Sequence, residues 1–205
     1  MKQQVFFIHG GSAYSDYESF LEVLRNRPLR DLPGTEPSKK WSSGLREALG
    51  DDFEVFTPSM PNSQNAKYLE WKIWFERYFE YLHDGVILVG CSLGGMFLAK
   101  YLSENAFPVK IKALFLLAAP GGEFLAPPET GDCRDFTFAP ELAQNLATRV
   151  PIVHVWHSKD DYVVPVSEAD WYKTHVRESQ ITLFEDKNHF LDPALPELIT
   201  AIKVV

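Results

Sequence analysis

Cysteine is scarce in this 205-residue sequence, with only Cys91 and Cys133. Two thiols so far apart fit neither a disulfide framework nor a metal-ligand spacing. A surplus of positive charge is also missing. The 20 Lys and Arg face 28 Asp and Glu for a formal net charge of −8, which argues against nucleic acid or an anionic membrane surface as partner. No apolar run approaches the roughly 20 residues that span a bilayer. Only the four apolar residues Val5 to Ile8 precede His9, too few for the apolar core of a secretory signal. We therefore expect a cytoplasmic protein with no membrane span and no nucleic-acid partner. Repeats and low-complexity tracts are absent, and nothing in the sequence reads out a protein partner.

What is present is apolar and aromatic. At 45% hydrophobic and 14% aromatic content, residues 1–205 are expected to form one globular domain with a substantial core. The most informative stretch is Val86 to Gly95. Four apolar residues make a short buried strand, and Gly90-Cys91-Ser92-Leu93-Gly94 breaks it where a helix begins. That is G-x-S-x-G between a strand and a helix. The apex of so sharp a turn is strained, and glycines on either side remove the crowding with their missing Cβ. With Cys91 at the apex the flanking residues would be Val89 and Leu93, both too bulky, so Ser92 is the candidate nucleophile and Cys91 a small buried side chain. The following helix aims its N-terminal N–H groups at the same point.

Along the chain, Val5 to Ile8 reads as a buried parallel strand opening into His9-Gly10-Gly11-Ser12. A capping box at Ser15-Asp16-Tyr17-Glu18 predicts a short amphipathic helix up to Pro28. Arg27 to Lys40 is rich in Pro and Gly and reads as a surface loop. Trp41 to Leu49 predicts a helix and Phe53 to Thr57 a strand. Tyr68, Trp71, Phe75, Tyr78, Phe79 and Leu82 mark the core face of one long helix. Ala113 to Ala119 is a further buried strand. Gly121 to Arg149 has weak periodicity and is expected to form a small lid or pocket wall. Strands at Pro151 to Trp156 and Ile181 to Glu185 alternate with helices at Ser167 to Glu178 and Leu195 to Ile202. This alternation predicts an α/β three-layer sandwich, a mainly parallel sheet of about six strands with helices on both faces.

A serine hydroxyl needs a base, and a histidine works best with a carboxylate that fixes its tautomer. Of the six histidines, His9, His83, His154 and His175 fall before the serine, in a strand or on helices. His157 precedes Asp161 by only four residues, too close to face it easily. His189 directly follows the last strand and is the best candidate base. Asp160 and Asp161 both follow the preceding strand and are candidate acids, with Glu123 as a further one. Ser92, then the acid, then His189 is the chain order of the alpha/beta hydrolase fold.

Asp161-x-x-Val164-Pro165 and Asn188-His189-Phe190 resemble the acid and histidine loops of the alpha/beta hydrolase superfamily, and this resemblance selects Asp161 over Asp160. Trp41 with Leu45 and Leu49, Pro58-Ser59-Met60-Pro61, the elbow and Glu197-Leu198-Ile199 are similar to the small, nearly capless serine hydrolases related to retinoblastoma-binding protein nine. The resemblance implies a minimal six-stranded version of the fold, with residues 14–40 as an insertion and 121–149 as a small lid. It also implies a Ser92, His189 and Asp161 triad acting through an acyl-enzyme, an oxyanion hole from the N–H groups of Leu93 and Gly11 or Ser12, and no metal or organic cofactor. The implied activity is cleavage of a small-molecule acyl substrate, a carboxylic ester first. A thioesterase, an amidase-like peptidase and a non-catalytic binding module on the same fold are the alternatives. Ser12, Tyr14, Phe97, Phe124 and Trp156 are candidates to line the pocket.

Overall fold

The computed structural model describes residues 1–29, 33, 40–126 and 131–205. Six strands form one sheet: β1 (Gln3–Ile8), β2 (Phe53–Phe56), β3 (Val86–Cys91), β4 (Ile111–Leu117), β5 (Val153–Ser158) and β6 (Gln180–Phe184). Their order is β2-β1-β3-β4-β5-β6, and every pair is parallel. Parallel strands need crossovers. Among the described residues these carry seven α-helices: α1 (Tyr17–Asn26), α2 (Leu45–Leu49), α3 (Tyr68–Glu76), α4 (Leu93–Glu104), α5 (Pro140–Arg149), α6 (Ser167–His175) and α7 (Pro196–Val204). None is long and apolar enough to cross a membrane.

The continuous apolar runs of β1, β3 and β4 become the fully buried strands that a sheet covered on both faces requires. Their side chains alternate between two cores. Phe6, Ile8, Leu88, Leu114 and Leu116 pack with α3, α4, α5 and α6, through Trp71, Phe75, Phe97, Leu146 and Tyr172. Val5, Phe7, Ile87, Val89 and Phe115 pack on the other face with Leu45 and Leu49 of α2 and Leu198 and Ile202 of α7. Each fully buried Leu or Phe contributes roughly 1.5–3 kcal/mol relative to an exposed one. Helix α4 is buried on most of its circumference because it lies between the central strands and α5.

Three local expectations are corrected. The cap of α1 is Asp16, not Ser15: its carboxylate accepts the Ser19 N–H at 2.8 Å and the Ser19 hydroxyl at 2.7 Å, so the cap lies one residue later. The long helix after Lys67 ends at Glu76 and continues as a 3-10 turn at Phe79–Tyr81. The change of winding leaves Tyr78 on Phe6 and Phe56, and Phe79 on Phe75 and Phe107. Within 121–149, where periodicity is weak, α5 starts with Pro140 at its first position, as helix starts favour. Phe136 and Phe138 there are buried in the first core. Most of the loop expected at 27–40, and residues 127–130 of the expected lid, lie outside the described residues.

The chain runs from β1 outward to β2 and then returns to place β3 on the other side of β1. That reversal opens a crevice at the carboxyl ends of β1 and β3, where sheets of this kind bind their ligands.

Candidate active site

Ser92 sits in this crevice, between β3 and α4, with φ 54° and ψ −127°. Few L residues adopt such a conformation, which costs on the order of 1–3 kcal/mol unless its surroundings enforce it. Here the Ser92 N–H donates to the Leu117 carbonyl of β4 at 2.8 Å, and the Ser92 carbonyl accepts from Gly95 and Met96 at 2.9 and 3.1 Å. The two glycines relieve different collisions. A Cβ on Gly90 would lie 2.6 Å from Gly95 Cα, within the turn. One on Gly94 would strike the carbonyl oxygens of Ile8 and His9 on the neighbouring strand. Gly94 therefore sets how closely α4 approaches β1.

His189 follows β6, and its Nδ1 donates to Asp161 Oδ2 at 2.8 Å. A carboxylate only accepts, so the proton is on Nδ1 and Nε2 is left as the basic nitrogen. The Asp161 side chain is fully buried. Its second oxygen, Oδ1, accepts the N–H groups of Val163 and Val164 at 2.8 and 2.9 Å. Three N–H donors compensate the burial of this carboxylate. Asp160 points elsewhere: its Oδ1 takes the Ser158 hydroxyl at 2.5 Å and the Asn188 N–H at 2.8 Å. The Ser158 bond holds its carboxyl below the usual range. Glu123 accepts from the Trp171 indole at 3.2 Å.

Ser92 and His189 border one cleft of about 390 Å³, together with Gly10, Gly11, Ser12 and Trp41. The His9 turn is fixed from inside. His9 Nε2 accepts the Met60 N–H at 2.9 Å, which leaves its proton on Nδ1, donated to the Gly10 carbonyl at 2.6 Å. The Ser12 N–H donates to the Ser63 carbonyl at 2.9 Å and is therefore occupied. Cys91 also borders the cleft, but burial, with the charge of Asp161, pushes its thiol up to about 12.

The family model for the alpha/beta hydrolase fold matches residues 4–153. The chain belongs to the alpha/beta hydrolase fold family. Its structure is similar to that of the ydeN gene product of B. subtilis, with TM-score 0.73 and 20% identity over 98% of this chain and 97% of that one. A serine hydrolase from Cycloclasticus zankles superposes with TM-score 0.62 at 12% identity, over 99% and 88% of the two chains. Mouse alpha/beta hydrolase domain-containing protein 10 does so with TM-score 0.54 at 16% identity, over 98% and 88%. No curated protein matches the sequence.

In this alpha/beta hydrolase fold the candidate pocket residues separate. Ser12 borders the cleft and, with Val163, a wider hollow of about 970 Å³ along α1. Tyr14 is buried beside Phe20. Phe97 is fully buried between Trp71, Phe75 and Phe136, and Trp156 packs on Phe115 and Phe184, so both are core residues. Phe124 is half-buried in the turn after β4. Reading the sequence missed Trp41 as part of the site. With Leu45 and Leu49 it entered the sequence reading only as a helix and as a carrier of the resemblance, and the polar indole N–H was the remaining signal.

Proposed function

We propose that this protein is a serine hydrolase that cleaves an acyl bond, a carboxylic ester first, through an acyl-enzyme. The observation that carries this reading is the His189 to Asp161 hydrogen bond at 2.8 Å, in a residue bordering the same cleft as the strained Ser92. His189 Nε2 takes the Ser92 proton as Oγ attacks the acyl carbonyl, and returns it to the leaving group. Asp161 holds the imidazole and stabilises its transient charge. The oxyanion is held by the N–H of Leu93, at the positive end of α4, and by that of Gly11. Ser12 is the weaker second donor because its N–H is already bound to Ser63. Each donor is worth roughly 3–4 kcal/mol of transition-state stabilisation. Water then enters by the same path, activated by His189, and releases the acid.

The triad serves esters, thioesters and amides alike, so the preferred leaving group is a matter for substrate profiling. A fluorophosphonate probe tests the reading directly. Wild type is expected to label and Ser92→Ala to remain unlabelled and inactive on short and long acyl esters. Equal labelling of the two proteins would overturn it.

A further inference from the structure

His189 stands between two residues in the left-handed region, Asn188 at φ 47° and Phe190 at φ 51°. That conformation costs an L residue roughly 1–2 kcal/mol, and a bulky aromatic such as Phe190 rarely adopts it. It persists only where the surrounding structure holds it. Here two anchors from distant parts of the chain do so. Ahead of His189, the Ser158 hydroxyl accepts the Lys187 N–H at 2.9 Å while donating to Asp160, and Asp160 accepts the Asn188 N–H at 2.8 Å. Behind it, the Trp41 indole donates to the Phe190 carbonyl at 3.0 Å, and the Trp41 backbone N–H donates to the Asp192 carbonyl at 3.0 Å. Trp41 itself is wedged edge-on against Phe7 of β1, with ring centroids 5.1 Å apart. The loop is thus clamped to the acid loop on one side and to the sheet on the other.

We propose that Trp41 and Asp160 are positioning residues for His189, keeping Nδ1 on Asp161 and the imidazole on the cleft that Ser92 also borders. Asp160 acts as a fixed acceptor and not through its charge. Two adjacent aspartates then have separate tasks: Asp161 holds the imidazole, and Asp160 holds the backbone that carries it. The inference rests on the triad reading above. Displacing a reacting group by about 1 Å can cost a hundredfold in rate, which is the scale on which a slack loop is felt.

Ester hydrolysis by four variants tests it. Trp41→Phe keeps an aromatic ring but no N–H, and Asp160→Ala removes the acceptor. Both are expected to lower kcat by about tenfold to a hundredfold. For Asp160→Ala, KM should change by less than about twofold, since Asp160 does not border the cleft, whereas Trp41 does. Asp160→Asn keeps an amide oxygen that accepts both hydrogen bonds, and its kcat is expected to stay within about threefold of wild type. The downfield NMR signal of the His189 Nδ1 proton should be sharp in wild type and Asp160→Asn, and broadened in the other two. An equal loss in Asp160→Ala and Asp160→Asn would overturn the proposal, as would an unchanged kcat and signal in Asp160→Ala. Asp160 is exposed, so this pair remains decisive even where Trp41→Phe fails to fold. Ser92→Ala separates the two levels. Its full activity would overturn the triad itself, whereas its inactivity beside unaffected Asp160→Ala overturns only the positioning role.

Discussion

His157 and Asp161, four residues apart in sequence, meet at the heart of the site: His157 Nε2 lies 3.6 Å from Asp161 Oδ2, the oxygen that His189 occupies at 2.8 Å. His157 spends its Nε2 proton elsewhere, on the Val164 carbonyl at 2.9 Å. It is fully buried, its Nδ1 has no partner among the described residues, and burial holds the imidazole below the usual histidine range. Asp161 is therefore flanked by one histidine that donates to it and one whose charged form burial disfavours.

The burial of this imidazole makes stability depend on pH. Below the usual histidine value of about 6.5, the unfolded chain binds protons at His157 and His154 that the folded chain refuses, because burial lowers both. The folded state is accordingly expected to lose stability as pH falls through 6 toward 5. In His157→Gln, which retains a donor for Val164, the loss should be shallower. Melting temperatures between pH 7.5 and 5 measure this, and parallel slopes for the two proteins would refute the assignment.

Asp161→Asn is expected to lower kcat by about 10³ to 10⁴, the scale seen when a triad acid is neutralised in place. Asp160→Asn should lose far less. Hydrolysis of an aryl ester by the two proteins ranks them, and the reverse ranking would reassign the acid.

Gly94→Ala drives a methyl group into the Ile8 and His9 carbonyls. A destabilisation of about 1–3 kcal/mol is expected, as for other overpacked sites. Gly44→Ala is the control, since nothing lies within 4 Å of its added Cβ. Guanidinium midpoints should fall for the first and hardly move for the second.

Cys91, beside Ser92, is expected to be inert. With its thiol at about 12, roughly one molecule in 10⁴ carries the thiolate at pH 8. Native protein should therefore react with iodoacetamide orders of magnitude more slowly than unfolded protein. Rapid alkylation of Cys91 in the native state would show that the thiol is not shielded.

Much of the fold was legible because buried parallel strands write themselves as continuous apolar runs. Val5 to Ile8, Val86 to Val89 and Ala113 to Leu117 are strands for that reason. Boundaries were less legible where packing overrode periodicity. Tyr78 and Phe79 keep helical spacing after Glu76, yet the backbone tightens to seat them on Phe6 and Phe75. The weak apolar content of Pro140 to Arg149 hid a helix that α4 stabilises.

The parallel α/β layering, the elbow at Ser92 and the positions of Asp160, Asp161 and His189 after the last two strands are written in local spacing. The folded chain sets Asp160 to hold a backbone while Asp161 holds an imidazole. It likewise decided that the Ser12 N–H is already spent on Ser63, and that Trp41 reaches Phe190 across 149 residues of chain. Those outcomes depend on hydrogen bonds between segments that meet only once the sheet is assembled, and no local pattern encodes which donor finds which acceptor.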